Sequence, residues 1–180
     1  MFRISSLLFF LGFLQSQNYP DFEVLHFENP HSSSLFLHTM SEENRFMAII
    51  DSGLDVQWHV RSNHMGLDFK VNQNYLTYYN KIEGSWILAN QMMNEVDTLM
   101  CEGSYVADYH DIQILENGNY LLQAYDSSFV DMSTIIDGGQ SVAWITGILV
   151  IQMLDINHEL ILEWNAWDHL DISQYTNLNL

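Results

Sequence analysis

The sequence predicts an all-β fold and, within that class, a β-propeller built of four-stranded blades. Three observations lead there. Apolar runs of strand length alternate with turn residues along the chain, while helical periodicity is scarce. Asn117-Gly118 joins two such runs, a strong short-range hairpin pattern because both residues tolerate positive φ. The runs also repeat. "DFKVNQNYLTYY" from Asp68 resembles "DIQILENGNYLLQA" from Asp111, an offset of 43 residues, and each is followed by a second strand pair. The unit is four strands in roughly 40 residues, the size of a propeller blade. An antiparallel sandwich with chance similarity between hairpins is the alternative.

Taken in order, the chain opens on "MFRISSLLFFLGFLQSQNYP". Arg3 supplies a positive start and an apolar stretch runs from Ile4 to Leu14, too short for a membrane-spanning helix. Residues 1–17 read as a secretory signal peptide cleaved near Ser16 or Gln17. That makes the protein secreted or periplasmic, with residues 18–180 as its propeller domain. A buried N-terminal strand or helix is the other reading. No later segment is long and apolar enough to insert into a membrane. Strands are then expected at "SLFLHTM" (34–40), "FMAIID" (46–51) and "DVQWHV" (55–60). "LDFKV" (67–71) and "NYLTYYN" (74–80) should form a hairpin turning through Asn72 and Gln73. "SWILANQ" (85–91) and "EVDTLM" (95–100) complete that unit. "HDIQIL" (110–115) and "NYLLQAY" (119–125) follow, then an insertion at 126–146. "GILVIQML" (147–154) and "ELILEWNAW" (159–167) close the series, turning through Asp155 to His158. Eleven strands make about three blades, fewer than the four to eight with which propellers close.

The chain has 180 residues and a formal charge of −18, from 23 acids against five bases: Arg3, Arg45, Arg61, Lys70 and Lys81. No basic face for nucleic acid can be assembled from these, and anionic membrane surfaces are excluded on the same ground. The field also repels anionic substrates at long range, so an anion site needs strong local donors. Cys101 is the single cysteine and forms no intrachain disulfide; it reads as a small buried hydrophobe. No metal-ligand spacing, glycine-rich phosphate loop or nucleophile elbow occurs, and no cofactor is expected.

Two clusters carry the chemistry-bearing residues. In the first, His110 opens a strand and is flanked by Asp108 and Asp111. In a propeller the strand nearest the axis lines the central channel, so His110 can face the channel mouth. A neighbouring carboxylate would fix its tautomer and raise its basicity. The alternative is that Asp111 caps a turn and His110 packs between blades. In the second, "EWNAWDHLDI" (163–172), Trp164 and Trp167 frame Asp168, His169 and Asp171. The aromatics could wall a planar ligand, or merely pack between blades. His59 and His64 flank Arg61 in a small cationic patch, while His26, His31, His38 and His158 read as loop or surface residues.

"HDIQILENGNYLL", the "IIDGG" insertion, "VIQMLD" and "LEWNAWDHLDI" together resemble the arylsulfotransferase family, over residues 30–172. The resemblance implies an exported six-bladed propeller, of which this chain holds about three blades. It implies sulfuryl transfer from a phenolic sulfate ester to a phenol through a transiently sulfated histidine. It assigns His110 and His169 to catalysis, converging on the channel side. Asp108, Asp111, Trp167 and Asp168 would then bind substrate. The family's next motif, histidine-x-asparagine, is expected just past residue 172 and does not occur. The nucleophile and its arginine partner are thus expected outside this sequence. A secreted, non-catalytic binding propeller is the competing reading, with a structural surface component as a third.

Overall fold

The computed structural model describes residues 19–39 and 45–171. The leader at residues 1–17 and the C-terminal "SQYTNLNL" lie outside the described residues. All eleven expected strands are present: β1 (Leu35–His38), β2 (Phe46–Ile50), β3 (Val56–Arg61), β4 (Met65–Asn72), β5 (Tyr75–Asn80), β6 (Ser85–Ala89), β7 (Glu95–Leu99), β8 (Ala107–Ile114), β9 (Tyr120–Val130), β10 (Ala143–Leu154) and β11 (Leu160–Asn165). Helix among the described residues is confined to a 3₁₀ turn at Met132–Thr134 and the single turn α1 (Ala166–His169). The strands form three antiparallel sheets in sequence order, β1-β2-β3, β4-β5-β6-β7 and β8-β9-β10-β11, with no strand exchanged between them.

The sheets stack face to face, and the middle one is covered on both sides. Strand β6, "SWILA", is buried at every position. Its side chains alternate between two cores, as the period of two requires. Trp86 and Leu88 join Leu99 and Tyr79 against Ile112, Ile114, Tyr120, Leu122 and Leu154 of the third sheet. Ile87 and Ala89 join Phe69, Leu76 and Tyr78 against Met47 of the first. Phe36, Ile49 and Trp58 complete that first seam. Cys101 packs against the first-named core, and burial pushes its thiol up to about 12. It is the inert small hydrophobe that its sequence context suggested.

Three hairpins share one turn. Asp51, Asn90 and Asp155 each accept two backbone N–H groups through Oδ1, from Gly53 and Asp55, Met92 and Asn94, Asn157 and Glu159. The residue four places into each turn is left-handed: Leu54 at φ 71°, Met93 at 62° and His158 at 67°. These turns join the last two strands of each sheet, so the repeat recurs in all three. The Asn117-Gly118 hairpin has the same backbone form, but only Gly118 uses positive φ, at 85°. Two expectations shift. The β4–β5 turn is Gln73-Asn74, since Asn72 still pairs with Tyr75. The two ends of residues 126–146 prolong β9 and β10, with Ala143 to Thr146 pairing with Val130 to Ser127 past a bulge at Gly147, while residues 131–142 form the connecting loop.

Candidate functional site

Strand β8 breaks register where the first cluster lies. Ala107 pairs with Ala124 and the next pair is Ile112 with Leu122, so residues 108–111 stand opposite Gln123 alone. A bulge of this kind re-aims side chains. The middle sheet pins it on both sides. Tyr79 donates its hydroxyl to the Ala107 carbonyl at 2.6 Å, and Trp86 Nε1 donates to that of Asp108 at 3.0 Å. Beyond the bulge, Asn72 Nδ2 donates to the Ile112 carbonyl at 2.8 Å.

Asp108 is buried and organises what the bulge exposes. Its Oδ1 accepts the His110 backbone N–H at 2.9 Å and lies 2.6 Å from His110 Nδ1; Gln123 Nε2 donates to the same oxygen at 3.2 Å. An ionised carboxylate only accepts, so Nδ1 carries a proton, and in the neutral ring it is Nε2 that offers the lone pair. The His110 side chain is 61% exposed against 7% for Asp108. Tyr109 stacks on the imidazole at 4.2 Å between ring centroids, inclined by 29°. An oriented, exposed imidazole backed by a buried carboxylate can take a proton, donate one, or attack an electrophile.

Asp111 does not join this pair. It holds Lys70 of β4, which also reaches Asp68 Oδ2 at 2.6 Å, and it accepts from Gln113 Nε2 at 2.6 Å. Burial opposes the Asp111 charge, but the bonds from Lys70 and Gln113 outweigh it and hold the carboxyl below its usual value. At Asp68 burial wins over Lys70 and the carboxyl rises. Lys70 is lowered by burial and raised more by its two carboxylates, for a net rise. Asp68 and Asp111 occupy equivalent places in the repeat, so one lysine clasps the same position of two neighbouring sheets.

The second cluster lies elsewhere. Asn165 caps α1 by accepting from the Trp167 N–H at 2.9 Å, and His169 stacks on Trp164 at 5.2 Å with the planes 6° apart. Trp167 and Asp168 are exposed. This turn follows β11, while His110 is on β8, the opposite edge of the same sheet. Three strand spacings, about 14 Å, separate those edges, so the structure does not bring His169 to His110. Of the histidines read as loop or surface residues, His38 belongs to β1 and its Nε2 is buried, while His158 Nε2 lies 3.0 Å from Asp97 Oδ2 across two sheets. Tyr109, Gln123 and Lys70 were not anticipated as site residues. Compared with protein-family models and with curated proteins, the chain matches none.

Proposed function

We propose that the three sheets are blades of a β-propeller of the arylsulfotransferase type, and that His110 handles the proton in sulfuryl transfer from a phenolic sulfate ester to a phenol. The observation that carries this reading is the Asp108–His110 pair. In a direct transfer, which needs no sulfated histidine, His110 Nε2 takes the proton of the acceptor phenol as the phenol's oxygen attacks the donor's sulfur, and Asp108 stabilises the imidazolium that results. The donor's S–O bond breaks, and its phenolate leaves to be protonated in turn. Sulfuryl transfer spreads charge over peripheral oxygens, so the enzyme's part is chiefly positioning and electrostatics. Sequential four-stranded meanders, with β4 packed against β8 at the start of each unit, support the propeller. The apolar leader supports export.

One observation favours a second reading, a binding propeller without catalysis. Lys70, the cation nearest this cluster in the repeat, is committed to Asp68 and Asp111 and is not offered to a sulfate. Two measurements on the purified chain separate the readings: colour release from para-nitrophenyl sulfate with a phenol acceptor, and calorimetric binding of phenyl sulfate. Transfer that falls by roughly 10²–10⁴-fold in His110→Ala carries the enzyme. Binding without transfer, weakened by the same substitution, carries the binding module. Neither transfer nor binding sinks both.

A further inference from the structure

Two cations of this acidic chain, Arg45 and Lys81, line one cleft, and no carboxylate among the described residues pairs with either. With 23 acids against five bases, a base would ordinarily find an acid beside it. The partners of Arg45 among the described residues are neutral: Nη1 donates to the Asn63 carbonyl at 3.0 Å and lies 2.9 Å from His64 Nδ1. A guanidinium has no lone pair to offer, so His64 Nδ1 accepts and the ring proton of the neutral imidazole sits on Nε2. His64 also lines the cleft and so adds a third donor.

The three donors come from separate segments: the residue before β2, the β3–β4 turn and the β5–β6 turn. A backbone bond from Lys81 N to the His64 carbonyl, at 3.1 Å, ties the last two together. Leu67 and Ile82 supply an apolar wall. The cleft measures about 390 Å³, within the size range of small-molecule sites. A bare inorganic anion would leave much of it empty. Three donors from three separate segments suit three peripheral oxygens better than the two of a planar carboxylate. Donors this close can overcome the chain's long-range repulsion of anions, which falls off over about 8 Å at physiological salt.

We propose that this cleft binds the tetrahedral oxyanion of a small sulfate or phosphate monoester, with Arg45, Lys81 and His64 on its oxygens and its apolar body against Leu67 and Ile82. The site is distinct from the Asp108–His110 bulge and stands whether or not His110 is catalytic.

Calorimetric titration of the His110→Ala chain, which disables the other proposed ester site, at about 0.15 M salt with phenyl phosphate, phenyl sulfate, benzoate and inorganic sulfate tests it. One or both monoesters should bind more tightly than inorganic sulfate or benzoate, and which of the two binds better assigns the ester. Lys81 is exposed, so Lys81→Met should melt like the parent while weakening that ester by about tenfold or more, the worth of a charge-assisted hydrogen bond. Arg45→Met should do the same, and Lys81→Glu should abolish binding. Benzoate binding as tightly as the esters would overturn the assignment. So would ester binding that survives Lys81→Glu in a folded protein, or no saturable binding at all.

Discussion

Lys70 illustrates how one side chain reports on its surroundings. It links Asp68 on its own strand to Asp111 on the next sheet, and all three groups are partly exposed. Lys70→Met should destabilise the protein by on the order of 1 kcal/mol at neutral pH, since solvent screens the cluster. The pH dependence follows from the shifts. The depressed carboxyl of Asp111 contributes stability above its unfolded value that is lost as pH falls through the folded one. The raised ammonium of Lys70 contributes stability below its unfolded value that is lost as pH rises through the folded one. Asp68, raised by burial, works against the first effect and should blunt the acid limb. Denaturant melts of parent and variant should therefore differ most between about pH 4 and pH 10 and converge outside that window. A gap that stays constant through the acid limb would show the lysine to be packing rather than pairing. Nothing in the local sequence foretold this clasp. The 43-residue offset did place Asp68 and Asp111 in register, and aligning the repeat was the route by which it could have been found.

Among the elements, the hairpin turns were the most legible. Short apolar runs between Asp, Asn and Gly clusters locate strands because the turn chemistry is local. Asn90 shows the device at work, with its Oδ1 accepting from Met92 and Asn94 at 2.9 and 3.1 Å. Asn90→Asp should be nearly neutral, because the acceptor is kept. Asn90→Ala should cost about 1 kcal/mol, seen as a lower thermal midpoint with the strand content unchanged by circular dichroism. An equal loss in both variants would assign the effect to something other than the acceptor oxygen. The β8 bulge was not legible, because a break in register depends on what the partner strand and the next sheet supply. Here these are Gln123, Tyr79 and Trp86, all distant in sequence. The same limit explains why His110 and His169 read as neighbours. By sequence each stands at a strand end, but His110 falls within β8, which starts three residues earlier at Ala107, and His169 ends the turn after β11. Only the order of strands across the sheet shows that they belong to opposite edges.

For the whole molecule, the stack leaves its outer surfaces less complete than its middle. The edge strand β11 exposes Leu160, Ile161 and Leu162, each more than 40% accessible, with Trp167 and Leu170 beside them. An apolar edge strand with unpaired backbone groups invites another chain. The chain should therefore self-associate as its concentration rises in sedimentation velocity, and Ile161→Lys should shift it towards monomer. A wild-type chain that stays monomeric throughout the series would remove this expectation. The all-β class and the sheet-by-sheet grouping were readable because every strand pairs with a sequence neighbour. That arrangement also bears on how the chain folds. Most ladders span only a turn, the longer β1–β2 and β9–β10 connections apart, so little loop-closure entropy is lost before contacts form within a sheet. Each meander can therefore nucleate on its own capped turn and then dock. A sheet could be duplicated or deleted without rethreading its neighbours, much as a repeat array grows by whole units.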